Sequence, residues 1–273
     1  LNMKTRIISA SVAIVLLVAI LWLHETIIFN IAFALIGSIM VYELFGAFKM
    51  KGNLLFLGLS ILETAALAIM PKFLSLNDNA RIYILVVLAY IVLAAVILLK
   101  EHETIEIGTF SSLCFITLAV GASMLSISVI EQGGLENVIL TLCGAWLADS
   151  GAYFVGTFCG KHKLCPKISP KKTVEGFIGG IATNAVLFML IGLVVSLIDA
   201  DSSPDYILLA VLGVACSLLS VVGDLFASLV KRSCGIKDFG KIMPGHGGAF
   251  DRFDSVVFVA PFMAICLTWF SVF

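Results

Sequence analysis

The run VEGFIGGIATNAVLFMLIGLVVSLI, residues 174–198, decides the class of this chain. Its only charge, Glu175, stands at its start. A transmembrane helix needs about 20 mostly apolar residues, so this run reads as a membrane span. Working outward, eight further runs have the same character, at about 7–23, 27–48, 54–70, 81–99, 107–130, 136–159, 205–230 and 250–272. The first and third are short by this measure. Composition agrees: 60% of the 273 residues are hydrophobic and 13% charged, against roughly 25% charged in ordinary globular domains. The expectation is an all-α, polytopic membrane protein of about nine transmembrane helices. Residues 1–135 hold five spans, and 136–273 hold four together with two long charged loops, 160–173 and 231–249. Leu1 and Asn2 read as residues added ahead of a native Met3, and the run after Lys4 and Arg6 reads as an uncleaved first span.

Orientation follows from the basic residues. With the N-terminus inside, fourteen Lys and Arg face the cytoplasm, and only Lys72 and Arg81 lie outside; Arg252 opens the last span from the inner side. The N-terminus is therefore expected in the cytoplasm and the C-terminus outside, with both long loops on the cytoplasmic face. The seven cysteines lack zinc-finger or thioredoxin spacing, and the four histidines form no H-E-x-x-H pattern, so thiol redox and zinc hydrolysis have no support.

Acids inside apolar spans are costly and face a cavity or a partner. Glu43 and Glu63 lie in early spans, Asp149 in Ala148-Asp149-Ser150-Gly151, and Asp224 in Val222-Gly223-Asp224-Leu225; Asp251 and Asp254 open the last span. Glu43, near a helix end, reads as a snorkelling or paired charge, and Glu63 has no assigned role. On a helix, positions three, four and seven apart share a face. Asp224, Ser228 and Lys231 fit that spacing, as do Asp251, Asp254 and Ser255. Carboxylates completed by substrate phosphate and water are how Mg2+ is held, as one ion or two. Between these acids runs Lys237-Asp238-Phe239-Gly240-Lys241-Ile242-Met243-Pro244-Gly245-His246-Gly247-Gly248, a basic glycine-rich loop suited to presenting N–H groups to phosphate. In the other loop, Ser169-Pro170-Lys171-Lys172-Thr173 precedes a helix that Thr173 can cap, a natural anion site.

The run Ser228-Leu229-Val230-Lys231-Arg232, Lys237-Asp238, Pro244-Gly245-His246-Gly247-Gly248, Asp251-Arg252-Phe253-Asp254 resembles the hallmark of the phosphatidate cytidylyltransferase family. Met243 and Ala249 stand where that family has larger or branched aliphatic residues. Ala148-Asp149-Ser150-Gly151-Ala152-Tyr153 and Ser169–Gly176 also resemble it; before about residue 140 the likeness is compositional. The resemblance implies Mg2+-dependent transfer of a cytidylyl group from CTP to phosphatidic acid, with release of pyrophosphate, by a homodimer in the bacterial cytoplasmic (inner) membrane. It implies Asp224 and Asp251 as metal ligands, supported by Asp254, with Lys231 beside them in catalysis. It also implies phosphate or nucleotide contacts from Lys231, Arg232, Lys237, His246 and Arg252. Further substrate contacts are expected from Asp149, Lys167, Lys171, Lys172, Thr173, Glu175, Ser228, Asp238, Gly247 and Gly248, in the polar segments read above. Membrane lipids are expected partners and a nucleic acid polymer is not. The alternative is a cation-coupled transporter using the intramembrane acids; against it, the acids cluster at inner helix ends rather than at broken mid-membrane helices. A CDP-alcohol phosphotransferase would need an Asp-Gly…Ala-Arg…Gly…Asp…Asp pattern that is missing, and a lipid-binding scaffold leaves the acids unexplained.

Overall fold

The computed structural model describes residues 3–199, 201–243, 245 and 247–273, and their side chains except those of residues 3–7 and 77. The helices are α1 (Met3–Trp22), α2 (Ile27–Ala47), α3 (Leu54–Ile69), α4 (Leu76–Lys100), α5 (Ile107–Glu131), α6 (Leu135–Cys159), α7 (Val174–Ile198), α8 (Tyr206–Ser233), α9 (Phe250–Phe253) and α10 (Val256–Trp269). Two short strands, β1 (Lys163–Cys165) and β2 (Ser169–Thr173), lie between α6 and α7. Among the described residues, seven helices are long and apolar enough to cross a membrane: α2, α3 with the 3-10 turn that follows it, Asp78–Lys100 of α4, α5, α6, α7 and α8. The apolar part of α1, Ile8–Trp22, and the whole of α10 are shorter. The protein is an integral, all-α membrane protein apart from the small hairpin.

The run expected as one helix over 250–272 is divided. Its first four residues form α9, and Asp254 and Ser255 separate them from α10. The Ser255 N–H donates to Asp254 Oδ1 at 2.8 Å, a local side-chain bond that competes with the helical ladder.

The chain forms two compact units. One contains residues 1–129 and 233–253, the other 130–232 and 254–273. The loop 233–253 thus belongs with α1–α5, although the sequence reading groups it with the C-terminal spans. The core of the first unit is aromatic. Phe29, Phe33, Phe45 and Phe56 are fully buried, and Phe56 stacks on Phe110 with ring centroids 4.8 Å apart. Polar groups here are tied across helices: Asn30 Nδ2 and Ser128 Oγ both donate to the Ala68 carbonyl, at 3.3 and 2.7 Å.

In the second unit the backbones of α6 and α7 pack closely. A Cβ at Gly180 would come within 2.8 Å of the Ala148 carbonyl oxygen, and small residues at such positions are what let membrane helices approach. Asn184 Nδ2 donates to the Gly144 carbonyl at 2.8 Å, and Ser220 Oγ brings α8 onto α6 by donating to the Ala145 carbonyl, also at 2.8 Å. Gly180→Val is expected to destabilise the protein by about 1–3 kcal/mol through overpacking, seen as a lower Tm in detergent. An unchanged Tm would mean that α6 and α7 can separate without cost.

Candidate active site

The second unit gathers three of the expected acids around one lysine and one serine. Thr173 caps α7, its hydroxyl accepting the Gly176 N–H at 3.1 Å. That cap fixes where β2 hands over to the helix and directs the preceding residue, Lys172, inward. Lys172 Nζ lies 2.7 Å from Asp224 Oδ2 and 3.7 Å from Asp149 Oδ1, with only 19% of its side chain exposed. Asp149 comes from α6 and Asp224 from α8, so three elements converge on one ammonium. Asp149 also accepts from Ser255 Oγ at 3.4 Å, while that hydroxyl reaches the Ser220 carbonyl at 3.2 Å. Asp254 is buried, and Asp149, Asp224 and Lys231 all act on it electrostatically. Closing this cluster depends on Gly223, where a Cβ would meet the Asp254 carbonyl oxygen at 2.6 Å.

The hairpin is a part of the site that the sequence hides. Lys163 pairs with Thr173 and Cys165 with Ser169. Glu175, one of the expected substrate contacts, binds the start of the hairpin: it accepts the N–H groups of Lys161 and His162 at 3.0 and 3.1 Å and contacts His162 Nδ1 at 2.5 Å. Lys171 and Lys167 are exposed on the hairpin. Ser228 and Lys231 follow Asp224 along the unbroken helix α8, so the spacing inferred for them holds, and Arg232 is the next residue of that helix.

The first unit holds the glycine-rich loop. Asp251 Oδ2 accepts the N–H groups of Phe239 and Gly248, at 2.8 and 3.0 Å. Glu43 Oε2 accepts the Phe250 N–H at 3.0 Å. Glu43 is 4% exposed, and a Cβ on either Gly240 or Gly248 would collide with its carboxylate. Glu43 is therefore a buried anchor of the loop, not a snorkelling charge. An acid within an apolar run was the available signal, but its partner lies 207 residues away. Lys237, Asp238 and Arg252 are exposed, and Gly247 has a φ of 89° that a side chain would strain. His246 lies outside the described residues. Asp251 and Asp254 do not share a helical face, because α9 ends at Phe253 and the two acids belong to different units.

A family model described as the cytidylyltransferase family matches residues 4–270. The phosphatidate cytidylyltransferase of Bacillus subtilis (strain 168) is 36% identical over 282 residues, covering 99% of both chains. The chain belongs to the phosphatidate cytidylyltransferase family. The protein of that name from Staphylococcus haemolyticus (strain JCSC1435) is 34% identical over 97% of this chain and 99% of its own length. That from Staphylococcus aureus (strain COL) is 37% identical over 67% of this chain. Membership makes the protein a CTP-dependent nucleotidyltransferase of phospholipid biosynthesis.

Proposed function

We propose that this chain transfers CMP from CTP to phosphatidic acid, giving CDP-diacylglycerol and pyrophosphate, and that the Asp149–Lys172–Asp224 cluster lies at its reacting centre. The observation carrying the reading is the near-complete alignment with relatives named for this activity. A phosphate oxygen of phosphatidate attacks the α-phosphorus of CTP; the bond from that phosphorus to the bridging oxygen breaks, and pyrophosphate leaves with the electron pair. A phosphate monoester has a second pKa near 6 and is mostly dianionic at neutral pH, so no strong base is needed. The difficulty is repulsion between two anions, and it is met by positioned positive charge. Lys171 and Lys172, at the N-terminal end of α7, suit the triphosphate, where the helix terminus adds N–H donors. Lys231 and Arg232, at the end of α8, suit the second phosphate, with Lys167, Lys237, Arg252 and His246 as further contacts.

The donor set fits Mg2+. Two carboxylates already converge on a cationic group, the Lys172 ammonium, and one or two carboxylates with substrate oxygens and water is the usual Mg2+ shell. Among the described residues no group of three or more His, Cys, Asp or Glu is placed to hold a metal by protein atoms alone, so substrate oxygens and water would have to complete the shell. Asp224 and Asp149 would hold the ion, with Asp254 in support and Asp251 assigned by its match to the family motif. When bound, Mg2+ supplies charge neutralisation of the phosphates.

The reading includes nine crossings, with α1 and α10 added to the seven long helices. The N-terminus faces the cytoplasm of a bacterium on the fourteen-to-two bias of basic residues, and a homodimer is adopted from the family. Purified protein should release pyrophosphate from CTP only when phosphatidate and Mg2+ are both present; release without phosphatidate would overturn the assignment. Lys231→Ala should lose far more activity than Lys49→Ala, and equal losses would make the basic residues topology signals only.

A further inference from the structure

The β1–β2 hairpin is too small to hold its own shape. Its strands have three and five residues, with a shift of register between Lys163 and Cys165, and an isolated two-stranded hairpin is marginal in water. Its base is tied from outside the strands. The Val174 N–H donates to the His162 carbonyl at 2.9 Å. Glu175 Oε2 accepts the N–H groups of Lys161 and His162, and Glu175 Oε1 lies 2.5 Å from His162 Nδ1. An ionised carboxylate only accepts, so Nδ1 carries the proton in this contact. One carboxylate in the first turn of α7 thus gathers three donors from the two residues that open the hairpin. The helix terminus favours a negative charge at the same place.

The packing leaves this knot no slack. Gly160 caps α6, and a Cβ there would collide with the Gly156 carbonyl oxygen and come within 2.8 Å of Thr173 Oγ1. The end of α6, the start of the hairpin and the cap of α7 therefore meet at Thr173. Lys172 is the preceding residue. Thr173 pairs with Lys163, and that pair borders the bond between Val174 and His162. A lysine side chain is long and loses much rotamer freedom when fixed. Where its ammonium sits between Asp224 and Asp149 depends on where its backbone is held. The His162 side chain is 78% exposed, so its contact with Glu175 is not imposed by core packing.

We propose that His162 and Glu175 are positioning residues for the reaction: they clamp the base of the hairpin and so place Lys172, and Glu175 acts through the backbone rather than by touching substrate. The inference rests on the assignment of Lys172 to the reacting centre.

Hydrogen–deuterium exchange of the full chain in lipid–detergent micelles, read over residues 161–174 beside phosphatidate-dependent pyrophosphate release, tests this. Glu175→Ala should exchange these amides about tenfold faster. It should lower kcat/KM for CTP about 10- to 100-fold, the scale of a group misplaced by about 1 Å. Glu175→Gln should restore most of both, because its amide oxygen accepts the two N–H groups and its NH2 donates to His162 Nδ1 in the other tautomer. His162→Ala changes an exposed side chain and should cost about three- to tenfold, the effect of one hydrogen bond; His162→Asn, whose amide can donate to Glu175, should recover it. In the double variant the losses should not add, since Glu175→Ala already removes the partner of His162. Lost turnover in Glu175→Ala with the hairpin amides still protected, Glu175→Gln as inactive as Glu175→Ala, or wild-type turnover in His162→Ala would each overturn the clamp alone. Lys172→Met tests the reading beneath it: turnover should fall while the hairpin amides stay protected, and an active Lys172→Met would overturn both.

Discussion

Asp224→Asn is expected to reduce phosphatidate-dependent pyrophosphate release by a factor of about 10²–10³, the usual scale for removing one preorganised electrostatic group. The carboxylate sits on α8, 2.7 Å from the Lys172 ammonium. The asparagine has nearly the same shape but no charge. It removes half of the anionic pair that selects a cation here and leaves Lys172 with Asp149 alone at 3.7 Å. The helix itself should tolerate the change, since Asp224 is partly exposed, with 26% of its side chain accessible, and the Ser220 and Ser255 contacts that hold α8 do not pass through it. The test is turnover by purified protein in lipid–detergent micelles, with elution profile and Tm as folding controls. A folded variant within about tenfold of wild type, a barrier change of only about 1.4 kcal/mol, would remove Asp224 from the reacting centre.

Glu43→Ala should lower turnover by about 10- to 100-fold, the range expected when a positioned group is displaced by about 1 Å, and should also lower stability. The alanine cannot accept the Phe250 N–H, and leaving that buried donor unpaired costs about 1–3 kcal/mol. It also empties the space against which Gly240 and Gly248 pack, so the loop that Asp251 ties through Phe239 and Gly248 loses its second support. Glu43→Gln distinguishes positioning from charge. Its amide oxygen can accept the same N–H, so most of the lost turnover should return with KM for CTP near wild type. If Glu43→Ala retains both turnover and Tm, the loop is held by other contacts and Glu43 is not a positioning residue.

How far the sequence could be read follows from the range of the interactions involved. The spans were legible because lipid imposes a one-dimensional rule, a length of apolar chain, and α2 to α8 obey it. The Thr173 cap was legible because its hydroxyl and the N–H it accepts are three residues apart. The face shared by Asp224, Ser228 and Lys231 was legible because α8 is continuous through all three. The same rule failed for Asp251 and Asp254, where a single bond between adjacent residues, from the Ser255 N–H to Asp254 Oδ1, accompanies the break in the helix. The hairpin over 163–173 carries no alternation of apolar and polar residues. It is held by the Glu175 carboxylate on the backbone of Lys161 and His162, which periodicity does not report.

By itself, then, the sequence determined that this is a membrane enzyme of the phosphatidate cytidylyltransferase family, because hydrocarbon solvation acts on local composition and the polar motifs are nearly contiguous in the chain. Tertiary structure alone decided what each acid contacts. Asp149 and Asp224, 75 residues apart, meet at Lys172, while Glu43 and Asp251 are occupied with backbone N–H groups of one loop. A carboxylate in an apolar run has to find a positive charge or a donor, and which one it finds depends on how the helices pack.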